Sequence, residues 1–171
     1  MVSDMDRAAR AIEQWRRERP DLDVWPMAIF GRLSEAAQVL SRDRIYPVMA
    51  RFDLQNGEFD VLATLRRSGP PFALTPTALY EATMVSSGAM TNRLDRLERA
   101  GLIERKPHPE DRRGIIVQLT EKGRDLIDAA VTAHVENEWR LLSGLSREEQ
   151  ETLAGLLQKL ILTATGADSQ S

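Results

Sequence analysis

SSGAMTNRLDRLERAGLIERK, residues 86–106, decides the fold. Met90, Leu94 and Leu97 recur at helical spacing, so the stretch opens as a helix near Ser86 and runs to Ala100. Gly101 follows where a left-handed residue ends a helix. The period then changes. Residues 102–106 read as a strand, 107–113 as a polar turn, and 114–119 (GIIVQL) as a second strand.

Working backwards, Thr75-Pro76 is a capping residue followed by a first-turn proline, which starts a short helix to about Ala82. Another helix is expected from about 55 to 67, closed by Ser68-Gly69-Pro70-Pro71. Working forwards, Thr120 caps a long helix over 121–142, stopped at Gly144. Ser146 and Glu149 have the spacing of a capping box that starts a last helix to about Thr163. At the front, Ala8, Ala11, Ile12 and Trp15 form one stripe of a helix that ends at Arg19-Pro20. A second helix starts near Pro26 with Ile29, Leu33, Ala36, Ala37 and Leu40 on its apolar face, and Pro47 is expected to kink or interrupt it.

Helix, short helix, helix, strand, turn, strand is the order of a winged helix-turn-helix. The fold class is therefore mainly α with a small β-hairpin wing. The expected division is an N-terminal extension helix over 1–25, a helical dimerisation region over 26–53 and 121–165, the winged unit over 54–120, and a disordered tail over 166–171.

The 171 residues, 42% hydrophobic and 29% charged, suit a globular chain. No apolar run has membrane-spanning length and the N-terminus has no signal-peptide core, so a cytoplasmic protein is the simplest reading. There is no cysteine and only two histidines, His108 and His134, far apart. Thiol redox sensing and zinc fingers are excluded, and no metal or cofactor is expected. No phosphate loop or nucleophile elbow appears, so the chain is not read as an enzyme and no catalytic residue is assigned.

The net charge of −3 does not advertise nucleic acid, but its distribution does. Between Val85 and Arg113 stand seven basic and five acidic residues, with acidic helices behind them. The helix over 86–100 is sized for the DNA major groove. Its Ser86, Ser87, Thr91, Asn92 and Arg93 are small or hydrogen-bonding, and Arg96 follows one turn on; Thr75 and Thr77 suit phosphate contacts. Arg112 and Arg113 at the hairpin tip suit either the minor groove or the backbone. Solvated charge is the plainer alternative for any one of these arginines.

The stretches 86–106, DRRG (111–114) and VQLTEKGRDLI (117–127) resemble the MarR family of winged-helix regulators. The resemblance covers about 27–162. It implies a homodimer, built from the first and last helices, on a pseudo-palindromic operator. The apolar final helix, with Leu153, Leu156, Leu157, Leu160 and Ile161, agrees with that.

Residues 15–33 and 59–76 are similar to the PecS-type, urate-responsive branch of that family, which has an extra N-terminal helix. The similarity implies a ligand set of Trp15, Asp60, Arg93 and Arg105. Gln55 departs from the Ser or Thr usual at its position. The set makes physical sense: two arginines and an indole suit a flat anionic heterocycle. Asp60, inside an apolar run, is expected to pair with Arg93. Plainer roles stay open: Trp15 as an anchor, Asp60–Arg93 as a structural pair, Arg105 as a surface or phosphate contact. The leading function is a repressor released from DNA by urate or a related anion. The alternatives are a regulator answering phenolic or aromatic carboxylates, and a winged-helix module for protein contact.

Overall fold

A computed structural model describes residues 5–55, 57–83, 90–111 and 114–166. The element order is α1 (Arg7–Glu18), α2 (Trp25–Val39), a π-helical turn (Leu40–Ile45), α3 (Tyr46–Ala50), α4 (Glu58–Arg67), β1 (Ala73–Leu74), α5 (Pro76–Ala82), α6 (Met90–Arg99), β2 (Ile103–Pro107), β3 (Ile115–Leu119), α7 (Glu121–Leu141), a 3-10 turn (Leu142–Gly144) and α8 (Arg147–Thr165). The expected class, mainly helical with a small sheet, is the class observed.

Pro47 interrupts the second helix as its chemistry demands, but without ending it. A proline there cannot donate to the preceding turn, and the chain answers by widening into the π-helical turn before α3. Asn137 on α7 donates through Nδ2 to the carbonyl of Arg44 in that turn at 3.1 Å, which fixes the widened segment against the long helix.

Two boundaries need correction. The helix expected from about 55 begins at Glu58, because Gly57 takes the left-handed conformation (φ 79°) and breaks the run. The sheet has three strands, not two. Ala73 and Leu74 pair antiparallel with β3, opposite Gln118 and Val117, giving the order β1-β3-β2. A two-residue strand is too short to show any alternation in sequence. The expected tail beyond Gly166 lies outside the described residues.

One core unites α3 to α7 and the wing. Val61, Leu62 and Leu65 of α4, Leu79 of α5, Leu94 and Leu97 of α6, Val117 of β3 and Ile127 of α7 meet in it. Gly123 makes the tightest joint. A Cβ there would collide with the carbonyl oxygen of Leu102, so only glycine lets the first turn of α7 seat against the wing. Thr120 caps that turn through its side-chain oxygen, which accepts from the Gly123 amide at 3.0 Å.

The other helices are less covered. α1 packs on α2 around Ile12, Val24 and Ala28. The rest of α2 leaves Trp25, Ile29 and Phe30 at least half exposed. α8 starts at the expected Ser146–Glu149 capping box but buries no residue in the chain, and Leu156 and Ile161 are 62% and 61% exposed. Among the described residues no helix is long and apolar enough to cross a membrane.

Candidate nucleic-acid interface

α6 is placed by its apolar stripe. Met90, Leu94 and Leu97 are buried, which leaves Thr91 and Asn92 exposed near its start. α5 stands before it. The hydroxyl of Thr75 accepts from the amide of Ala78 at 3.1 Å and so caps α5, while Thr77 in the first turn is exposed. Thr75 is thus occupied as a cap. Ser86, Ser87, Arg112 and Arg113, expected to touch DNA, lie outside the described residues.

Arg96, also expected at DNA, is tied inward. Its Nε donates to the Glu58 carboxylate at 2.7 Å and its Nη2 donates to the carbonyl of Asp53 at 3.2 Å. Glu58 is 2% exposed and its other oxygen accepts from the Gln55 amide at 2.6 Å. A buried carboxylate without partners would be costly, and here both oxygens are bonded. Glu58 was not singled out in the sequence. Its signal was its place three residues after Gln55, the spacing at which an acidic side chain reaches back to a helix-start amide.

The expected Asp60–Arg93 pair is not formed. Asp60 is exposed on α4, and no ion pair joins it to Arg93. Asp60 stands in the first turn of α4, an end of the helix that favours acidic residues. The buried acid of this helix is Glu58, and its cation is Arg96: the same kind of bond, with both residues displaced along their helices. The guanidinium of Arg93 instead lies on Gly57, where a Cβ would stand 2.5 Å from its central carbon.

Asp60 borders a hollow of about 50 Å³ lined by Ile45, Tyr46, Met49, Leu54 and Phe59, with Gly57 at its rim. That is far below the ~300 Å³ at which ligand clefts begin. Trp15 is 44% exposed on α1 and Arg105 belongs to β2, so the four expected ligand residues are not gathered around it. Arg105 is engaged elsewhere. Its Nη2 donates to Asp95 at 2.6 Å, its Nη1 donates to Glu98, and its backbone amide donates to Glu98 at 3.2 Å. The bond to Asp95 and the charge of Glu98 push the guanidinium above its ordinary value, against a desolvation that lowers it.

The wing turn has its own brace. His108 Nδ1 accepts from the amides of Glu110 and Asp111, at 3.2 and 3.1 Å, and the His108 amide donates to the Gly114 carbonyl at 2.9 Å. The histidine therefore shapes the turn that carries the wing tip.

Comparison with known proteins fits this arrangement. The family described as MarR family matches residues 52–114, the span from the end of α3 to the wing turn. The HTH-type transcriptional regulator PecS of Dickeya dadantii is 45% identical over 149 residues, which cover 87% of this chain and 89% of PecS. A crystal structure of a mutant MarR from E. coli complexed with operator DNA superposes with a TM-score of 0.68 at 27% identity, covering 85% of this chain and 96% of that one. BpsR of Bordetella bronchiseptica, whose regulation of DNA binding by 6-hydroxynicotinic acid has been described structurally, gives 0.67 at 25% identity over 76% of this chain and 91% of its own.

Proposed function

The chain belongs to the MarR family of transcriptional regulators, and from that premise we propose that it acts as a homodimeric repressor released from DNA by a small anionic heterocycle such as urate. The observation that carries the DNA claim is the orientation of α6. Its buried stripe leaves Thr91 and Asn92 facing outward, the side from which a major groove would meet them. In this reading Ser86, Ser87, Arg112 and Arg113 join them on the DNA.

The homodimer rests on α2 and α8. Two helices with uncovered leucines, isoleucines and aromatics are what a two-fold partner would bury. Residues 26–53 and 121–165 then form the dimerisation region, and two reading helices stand one helical turn of DNA apart on a pseudo-palindromic operator.

The ligand claim rests on the likeness to PecS and on the neighbour whose DNA binding responds to 6-hydroxynicotinic acid, a flat heterocycle with an acidic group. Trp15, Asp60, Arg93 and Arg105 are the proposed ligand residues. The hollow beside Asp60 is too small for such a molecule, and Trp15 and Arg105 are not among its lining residues, so in this reading binding brings the four residues together by a movement of the elements that carry them. That movement is the route to DNA release.

Fluorescence anisotropy with the duplex upstream of the protein's own gene tests both claims. Binding that weakens steeply with salt is expected, because arginines displace condensed counterions. Urate titrated into the complex is expected to release the DNA. Release by an aromatic carboxylate and not by urate would favour the phenolic-sensor reading; no duplex binding at low salt would favour a protein-contact module.

A further inference from the structure

Thr91, Asp95 and Glu98 follow one another at intervals of four and three residues, so they lie along one stripe of α6. Thr91 is exposed at the start of that stripe. Below it, on the same helix that meets DNA, stand two carboxylates. Two bare negative charges there would repel the phosphates flanking the groove. They are not bare. Arg105 reaches across from β2, donates to Asp95 at 2.6 Å, and donates to Glu98 from both its guanidinium and its amide. Arg105 is largely covered (26% exposed), while Asp95 and Glu98 keep 48% and 38% of their side-chain surface.

Resting on the DNA-binding reading above, we propose that Arg105 is a positioning residue that neutralises Asp95 and Glu98 on the reading helix and locks that helix to the wing. Its charge is spent on two acids of its own protein, not on a phosphate. Three bonds from one residue also tie α6 to β2 and so fix the angle between the helix and the hairpin strand. An anion that draws Arg105 away would expose two carboxylates next to DNA, and this gives ligand binding an electrostatic means of release.

Four proteins test it: wild type, Arg105→Gln, Asp95→Asn with Glu98→Asn, and all three changes together. Duplex affinity is read by anisotropy on the fragment upstream of the gene. Arg105→Gln is expected to weaken binding about tenfold, the scale of two partly exposed ion pairs lost. The triple variant is expected to recover to within about threefold of wild type, because the acids that need masking are gone. A triple variant as weak as Arg105→Gln overturns the masking and assigns Arg105 to a direct phosphate contact. Thermal unfolding of the same four free proteins forms a double-mutant cycle that needs no DNA. Non-additive midpoints are expected, and additive ones overturn the clamp. A wild type that binds no duplex would sink the DNA reading and the masking with it, while the cycle still reports on the clamp alone.

Discussion

The guanidinium of Arg93 lies against Gly57: a Cβ at residue 57 would fall 2.5 Å from both its central carbon and Nε, so a larger residue there has to push the arginine aside. The glycine is also left-handed, at φ 79°. One residue thus starts α4 and receives the recognition helix. Gly57→Ala is expected to lower the unfolding free energy by about 1–3 kcal/mol, through backbone strain and displacement of Arg93. Urea denaturation measures it. Adding Arg93→Ala removes the collision and is expected to return part of the loss; an equal or larger loss in the double variant would refute the contact.

Glu58→Ala takes from Arg96 its nearer carboxylate, leaving Asp53 at 3.7 Å, and leaves the Gln55 amide without its acceptor. A loss of about 1–3 kcal/mol is expected in the same measurement, the scale of a buried amide left without its acceptor together with an ion pair whose arginine is partly exposed. Glu58→Gln keeps an acceptor and is expected to lose less. Arg96→Ala is expected to destabilise the protein as well as weaken DNA binding, whereas Asn92→Ala is expected to weaken DNA binding alone.

The carboxyl of Asp6 is held below the usual carboxylate range, first by the Ala9 amide that it caps and then by Arg32 of α2. A lowered folded value contributes stability above the unfolded value, and that contribution is lost as pH falls through the lower one. Docking of α1 on α2 is therefore expected to loosen in acid, below the ordinary aspartate range. Hydrogen exchange of the α1 amides measures this, and Asp6→Asn is expected to show looser docking at neutral pH with a flatter response to acid.

Leu156→Glu and Ile161→Glu place charges on the bare face of α8. Each is expected to convert the proposed dimer to monomer in light scattering and to weaken duplex binding with little change in the wing. A dimer that survives both changes would move the two-fold interface elsewhere.

The frame of the fold was legible because its signals are local. Pro76, Gly101, Thr120 and the Ser146–Glu149 box each mark a boundary by their own chemistry, and each element lies where they put it. β1 was not legible, since two residues carry no period, and its partner on β3 is more than forty residues away. One ion pair was read in kind and misplaced in detail. An acid on α4 paired with an arginine on α6 was expected and is present, but as Glu58–Arg96 and not Asp60–Arg93. Sequence spacing shows that two helices carry complementary charges. Which turn faces which depends on how Leu62, Leu94 and Leu97 pack, and that is decided only in three dimensions.

The grip of Arg105 on Asp95 and Glu98 sets a threshold for any signal that acts through that arginine. Tethered carboxylates compete at an effective concentration far above that of a free metabolite. A weak monoanion, however abundant, meets a guanidinium already taken. Only a molecule that also gains from other groups, such as an indole or a second arginine, can win the exchange. If Arg105 belongs to the proposed ligand site, Asp95 and Glu98 set the affinity that an anion has to exceed there.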